Sequence, residues 1–138
     1  MTQEDKDLLL KDLCARLHTC NCINGTALIV ALDDEQPLES NQWLISNYDC
    51  YKDKFIVSNI VYASNVERLI DIDNIQPYLF PLSSMTEEQN LEYLCTCLGG
   101  NAGVPTLASF EWCDKNHFDY RGLIEKGLAI DATGLNIY

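Results

Sequence analysis

The chain has 138 residues, 47% of them hydrophobic, and its 21 acidic against nine basic residues give a formal net charge of −12 at pH 7. This length suits one domain with a buried core, and the hydrophobic content excludes an intrinsically disordered chain. Because each contact to a nucleic-acid phosphate needs Lys or Arg, the charge argues against direct nucleic-acid binding.

The first predicted element is an amphipathic helix over residues 3–17. Thr2 and Asp5 approximate a capping box at its start. Its apolar residues recur at the helical period: Leu9, Leu10, Leu13, Cys14 and Leu17. The charged residues mix both signs, and Asp12 stands four residues before Arg16, the favourable order for a helical ion pair. The pattern therefore predicts a solvated charged face and not a membrane-binding one.

Residues 18–76 are predicted to form a small antiparallel sheet. The Asn24-Gly25 pair lies between two apolar runs and is typical of a hairpin turn, so it predicts two strands within 18–32. Aromatic and β-branched residues predict further strands at 42–46 and 55–62, and we interpret 64–72 as strand in preference to a helical turn. An SH3-like barrel is one way to close five such short strands without exposed edges.

The segment 77–85 is predicted to be an extended connector between this sheet and a helical region at 86–138. Pro77 and Pro81 lie four residues apart in it, and proline removes a backbone donor and disfavours helix in the preceding residue. The predicted fold class is α+β in a single domain, 1–138. It has an N-terminal helix, a small antiparallel sheet, C-terminal helices and a closing hairpin.

Two helices are predicted after the connector. Thr86 and Gln89 match another capping box, and the helix after them should end at Gly99-Gly100. Its predicted core-facing stripe is Leu91, Leu94, Cys95 and Leu98. A third helix is predicted from Pro105, which suits an early helical position, to about Asn116.

The last residues, 116–138, are predicted to be a structural unit of the core. Asp119 fits an N-cap, with Phe118 and Leu123 as a hydrophobic staple, and Gly127 should end the short helix. Four apolar residues then alternate on either side of a turn-forming stretch, which predicts a closing hairpin: Leu128, Ile130, Leu135 and Ile137. A segment this apolar is expected to be tied into the fold.

The seven cysteines are an odd number, which does not match a closed disulfide framework. Cys20 with Cys22, and Cys95 with Cys97, raise the hypothesis of a four-thiolate zinc site. The one-residue spacing within each pair is shorter than in usual structural zinc sites, and on a helix residues two apart point to different sides. We therefore predict reduced structural thiols, with no metal and no cofactor.

Residues of acid–base type cluster near the end of the chain: His117, Asp119, Tyr120, Arg121 and Glu125. No nucleophile motif, phosphate-binding glycine loop or metalloprotease motif accompanies them. We therefore favour a role in capping and surface ion pairs over catalysis, and no catalytic residue is predicted.

The same region also suggests a ligand site. Aromatic rings beside an arginine could stack on a base and pair with a phosphate. The candidate ligand-binding residues are Trp112, His117, Tyr120 and Arg121, with Phe118 as a further ring.

Three stretches carry a resemblance: TQEDKDLLLKDLCARL at 2–17, IQPYLFPLSSMTEEQ at 75–89 and NHFDYRGLIEKGLAIDATGLNIY at 116–138. Together the three stretches cover somewhat over a third of the chain. They resemble small uncharacterised proteins carried by phages, prophages and mobile elements of gut bacteria. The resemblance implies a phage or mobile-element setting in a bacterial host cell. It implies no activity, cofactor or catalytic residue.

Two hypotheses about function follow. The first is a non-enzymatic accessory protein that binds a host protein through its surface; acidic residues concentrated at 18–49 and 67–92 motivate it. The second is a protein that binds or sequesters a small nucleotide-type ligand. Both assume a cytoplasmic protein, because no apolar run approaches roughly 18 residues and the N-terminus is acidic where a secretory signal is basic. Oligomeric state is left open.

Overall fold

The computed structural model describes residues 1–22, 27–33, 42–59, 67–99 and 103–138. Over these ranges the chain has the predicted α+β fold, with an N-terminal helix, a mixed sheet and C-terminal helices. The helices are α1 (Gln3–Cys22), α2 (Glu87–Thr96) and α3 (Leu107–Lys115). The strands are β1 (Ile29–Leu32), β2 (Trp43–Asp49), β3 (Lys54–Asn59), β4 (Glu67–Ile70), β5 (Ile75–Pro81), β6 (Phe118–Asp119) and β7 (Ile130–Asp131).

Helix α1 begins at the predicted capping box. The Thr2 hydroxyl accepts from the Asp5 amide at 3.1 Å, and the Asp5 carboxylate accepts from the Thr2 amide at 3.2 Å. The predicted strand at 18–22 is wrong, because α1 continues to Cys22. No Gly or Pro interrupts the chain before Gly25, and the buried residues Leu17 and Thr19 hold the helical register. The predicted Asn24-Gly25 turn lies outside the described residues.

The charged side chains of α1 do not all lie on a solvated face. Asp12 and Arg16 are both 0% exposed, so the solvated-face prediction is wrong for this pair. Arg16 follows Leu9 by seven residues and Leu13 by three, which places it on the helix face that packs into the core. Their contacts belong to the site described below.

The sheet is mixed and not purely antiparallel. In the described ranges its strand order is β4-β3-β2-β1-β5-β6, and β7 pairs with β5 as well. Strands β1 to β5 pair antiparallel, whereas β6 and β7 run parallel to β5. The described part of β4 pairs only with β3, so these strands do not close into an SH3-like barrel. The strand interpretation of 64–72 is confirmed for Glu67–Ile70, whereas Ile72 begins a 3-10 helix that continues to Asn74.

The predicted extended connector at 77–85 is wrong, because Ile75–Pro81 is the strand that joins β1 to β6 and β7, and Leu82–Ser84 after it is a 3-10 helix. Leu79 accepts a hydrogen bond from the Ala132 amide, on the β7 side of the strand. Backbone groups two residues apart face the same side, so the donors that Pro77 and Pro81 lack also face β7. Strand β7 pairs only with Tyr78 and Leu79, and the prolines therefore cost no ladder hydrogen bond.

The core lies between α1, the sheet and the terminal segment. Its fully buried residues include Leu9 and Leu13 of α1, Val30 of β1 and Leu123 near the end of the chain. All four residues of β1 are buried, as the apolar run in the sequence indicates.

Helix α2 does not contribute to this core. Its capping box between Thr86 and Gln89 is confirmed. The predicted core-facing stripe is wrong: no residue of α2 is buried, Leu91 is 63% exposed, and Leu98 just beyond the helix is 68% exposed. The core is formed by α1, the sheet and the terminal segment, and α2 packs outside it, on α3. Helix α3 begins after Thr106, its N-cap, and not at Pro105.

The terminal segment is part of the core, as predicted, but its local structure differs. Asp119 accepts from the amides of Leu123 and Ile124 at 3.0 and 2.9 Å, so it caps a turn as expected. The residues up to Gly127 form turns in place of a helix, since forming a helix of about seven residues gains few backbone hydrogen bonds for the cost of nucleation. The closing hairpin is also wrong: β7 pairs with β5, and Leu135 is 50% exposed.

Candidate functional site

The four residues predicted to bind a ligand lie close together, but their rings face protein rings. Trp112 stacks on Phe118 with centroids 5.5 Å apart and 7° between the planes. Tyr120 stacks on Phe110 at 5.0 Å. His117 stacks on Tyr138 at 3.8 Å. Other rings of the protein therefore cover the ring faces that were predicted to stack on a nucleotide base.

Arg121, the fourth predicted residue, is held by protein groups as well. Its guanidinium donates to the Asp12 carboxylate at 2.7 Å and lies 4.4 Å from the centre of the Tyr120 ring. A guanidinium held between a buried carboxylate and an aromatic face has little capacity left for a ligand phosphate.

A buried charge cluster lies directly behind these rings, and we define it as Asp12, Arg16, Asp114 and Arg121. Arg16 donates to Asp12 at 2.7 Å and to the Phe118 carbonyl at 2.8 Å. Its other terminal nitrogen lies 3.9 Å from the Asp114 carboxylate. Two carboxylates therefore balance two guanidinium groups, and the cluster joins α1, α3 and the terminal segment at one point.

Burial shifts the ionisation of this cluster. Burial alone would lower the pKa of Arg16, but the carboxylates of Asp12 and Asp114 raise it above its ordinary value. Burial raises the pKa of Asp114, and burial with the nearby Asp114 charge raises the pKa of the Tyr120 hydroxyl. Arg16 therefore remains charged, as a buried ion pair requires.

His117 is 3% exposed, and neither of its ring nitrogens has a hydrogen-bond partner among the described residues. Burial, with the positive charge of Arg16 nearby, lowers its pKa from 6.5 to about 3. A histidine held neutral against Tyr138 acts as a packed ring near neutral pH.

Burial also raises the pKa of the Cys113 thiol to about 12, so this cysteine is not an activated nucleophile.

A second feature is an exposed apolar surface where α2 ends and α3 begins, and we call it the α2–α3 surface. Its residues are Leu91, Leu98, Val104, Leu107 and Phe110, which are 63%, 68%, 53%, 73% and 39% exposed. Leu91 lies on α2, and Leu98 follows the end of that helix by two residues. Leu98 and Val104 face each other in an antiparallel bridge with backbone hydrogen bonds of 2.9 and 3.2 Å.

Tertiary contacts hold the two helices of this surface together. The Thr106 hydroxyl donates to the Thr96 carbonyl at 2.8 Å, so the N-cap of α3 is fixed to the last residue of α2. Tyr93 of α2 packs on Trp112 of α3 with centroids 5.8 Å apart. The aromatic contacts lie inside the helix pair, which leaves the large aliphatic residues on its outside.

The border of the α2–α3 surface is acidic. Glu87, Glu88 and Glu92 are exposed on α2, and Glu111 is half-buried on α3. The sequence has no Lys, Arg or His between Arg68 and Lys115. This surface was missed in the sequence because a helical apolar period predicts core packing and does not indicate what the helix packs against.

Tyr120, one of the predicted ligand residues, also lines a cleft of about 350 Å³. Its charged lining residues are Asp119 and Glu125, both acidic. Two carboxylates without a paired base disfavour a phosphate-bearing ligand at this cleft.

Among the described residues, no three His, Cys, Asp or Glu side chains converge as a metal site would need. Cys95 is exposed whereas Cys97 is buried, and the side chains of Cys20 and Cys22 lie outside the description. None of the described helices is long and apolar enough to cross a membrane. No protein-family model, curated protein or solved structure matches this chain.

Proposed function

We propose that this protein acts by non-enzymatic binding to another protein, and that the α2–α3 surface is the binding face. The setting we propose is that of a phage or mobile-element accessory protein that contacts a host protein in the bacterial cytoplasm. The observation that carries the proposal is the exposure of five large apolar side chains, three on α2 and α3 and two in the Leu98–Val104 bridge between these helices.

Exposed apolar groups in one continuous patch, bordered by polar residues, mark interaction surfaces in soluble proteins. Burying a leucine side chain contributes roughly 1.5–3 kcal/mol relative to exposure. Leu91, Leu98 and Leu107 are all more than 60% exposed, so a partner that covered them would gain a large part of a typical binding free energy.

The nucleotide-type ligand is the weaker alternative. A ligand site of that kind needs an open aromatic face and a base available for phosphate. Trp112 and Tyr120 instead stack on protein rings, and Arg121 is paired with the buried Asp12. We therefore assign these residues to the internal packing of the fold.

Affinity capture from a lysate of candidate host bacteria tests the proposal with a pair of matched variants. The first variant, Leu91→Ser with Leu107→Ser, removes two side chains of the α2–α3 surface. The second, Tyr51→Ser with Leu135→Ser, removes two exposed apolar side chains elsewhere, which are 98% and 50% exposed.

We expect the wild type and the second variant to capture the same partner, and the first variant to capture at least about tenfold less, since two buried leucines account for well over tenfold in affinity. Thermal melts should agree for all three proteins, so that loss of fold is excluded. Equal capture by both variants would contradict the proposed binding face.

A further inference from the structure

The charge around the α2–α3 surface identifies the kind of partner, an inference that rests on the proposed function. We propose that the partner presents a basic amphipathic face, a helix or strand pair whose apolar side chains are flanked by Lys and Arg. The apolar residues would cover Leu91, Leu98 and Leu107, and the basic residues would meet the carboxylates at the border.

The carboxylates are placed for this contact. On α2, Glu87 and Glu88 precede Leu91 by four and three residues, so they lie one turn away on neighbouring positions of the helix surface. Glu92 directly follows Leu91 and is exposed. Glu87 and Glu88 therefore border Leu91 on its N-terminal side, and Glu92 adds a third exposed carboxylate at the adjacent position of the helix.

The dipole of α2 accounts for the position of only some of these acidic residues. Glu87 and Glu88 stand in the first turn of α2, where negative charge complements the helix dipole. Glu92 is in the second turn, beyond the reach of that effect. No base offsets it within the helix, because the chain has no Lys, Arg or His between Arg68 and Lys115.

Other occupants fit this charge less well. In a symmetric contact with a second copy, the same patch would face itself and bring the glutamates of both copies together. Anionic membrane surfaces and nucleic acids would be repelled by the same carboxylates. A protein face with basic residues around an apolar centre is complementary to the α2–α3 surface both in charge and in apolar character.

The two parts of the contact should be separable by salt. Charges at an exposed rim mainly steer association and decide between partners, and they are screened as ionic strength rises. Apolar contacts at the centre supply most of the affinity and are not screened. Binding should therefore depend on both Leu91 and salt, whereas binding by general charge attraction would depend on salt alone.

Three synthetic 18-residue peptides are the probes. One has Leu at helical i, i+3, i+4 and i+7 positions with Lys elsewhere, the second has Glu in place of every Lys, and the third has the Leu and Lys residues scrambled. Binding to the full-length protein is measured by isothermal titration calorimetry at 0.05 M and 0.5 M NaCl.

At low salt we expect the first peptide to bind at least tenfold more tightly than the other two, and this preference to narrow at high salt. Leu91→Ser with Leu107→Ser should weaken its binding at least tenfold. Replacing Glu87, Glu88 and Glu92 together with Gln should weaken it at least threefold at low salt. The control set Glu4→Gln, Glu67→Gln and Glu125→Gln changes net charge equally at exposed positions and should have a smaller effect.

Equal affinity for the Lys and Glu peptides, or an equal effect of the two glutamine sets, would overturn the basic partner. The proposed function would still stand if capture from lysate remained dependent on Leu91 and Leu107, so the two failures are distinguishable. Self-association of the wild type that Leu91→Ser with Leu107→Ser abolishes would identify a second copy as the occupant and would also overturn this inference.

Discussion

Replacing Asp12 with Asn is expected to lower the free energy of unfolding by about 3–5 kcal/mol at pH 7. Asp12 accepts hydrogen bonds from both Arg16 and Arg121 at 2.7 Å, and it is 0% exposed. The substitution keeps the shape of the side chain but leaves Arg16, also 0% exposed, without its closest counter-charge. An uncompensated buried charge is far more costly than the loss of an exposed pair.

Urea unfolding followed by circular dichroism measures this effect, and Asp7→Asn is the matched control. Asp7 lies on the same helix, where it is exposed and accepts a hydrogen bond from the Gln3 side chain. Its replacement should cost no more than about 0.5 kcal/mol, as most surface substitutions do. A loss below about 1 kcal/mol for Asp12→Asn would show that the cluster does not hold α1 to the terminal segment.

The second expected effect is a loss of stability on acidification through His117, about 2 kcal/mol between pH 7 and pH 5. The pKa of His117 is lowered to about 3 by burial, against 6.5 for the ordinary side chain. The unfolded chain therefore takes up a proton below pH 6.5 that the folded chain does not bind. Stability from this group is complete above pH 6.5 and is lost as pH falls towards 3.

His117→Asn tests this dependence, because Asn does not titrate and accepts the positive φ of 63° at this position. The difference in unfolding free energy between wild type and variant should shrink by about 2 kcal/mol from pH 7 to pH 5. His18→Gln changes the chain's other histidine and should leave the acid loss in place. A constant difference between wild type and His117→Asn over this range would show that His117 becomes protonated within the fold.

The local structure of several segments could be predicted because it depends on few neighbouring residues. The capping boxes at Thr2 and Thr86 need only a hydroxyl and a carboxylate or amide three residues later, and both form. Asp119 caps the turn after it for the same reason. Burial of Leu123 and Leu128 was also predictable, since the terminal segment is too apolar to remain outside the core.

The predictions of local structure were wrong where residues distant in the chain decide which strands pair. Pro77 argues against a central strand, and only the position of β7 shows that its missing donor costs nothing. The alternation around Asp131 is typical of a hairpin, yet pairing with β5 competes successfully with the local turn. Both outcomes depend on contacts more than fifty residues apart in the chain.

The burial of Arg16 and the exposure of Leu91 were not predicted from the sequence, for two different reasons. Burial of Arg16 had a signal, its seven-residue spacing from Leu9, but a charged residue of a helix is usually placed on the solvated face. No sequence pattern indicates the exposure of Leu91, because helices that pack into a core and helices that form an interface have the same apolar period. Only the packing of α1 against the sheet shows that α2 remains outside the core.

Hydrogen–deuterium exchange with and without the captured partner would show which residues of this protein the partner covers. Helix α2 has no buried residue, so its amides should exchange readily in the protein alone and be protected when a partner covers Leu91 and Leu98. We predict that protection is largest over residues 87–98 and 104–111 and that exchange at 117–125 is unchanged. Protection at 117–125 with no change in α2 would contradict the α2–α3 surface as the binding face and would assign binding to the segment of Tyr120 and Arg121.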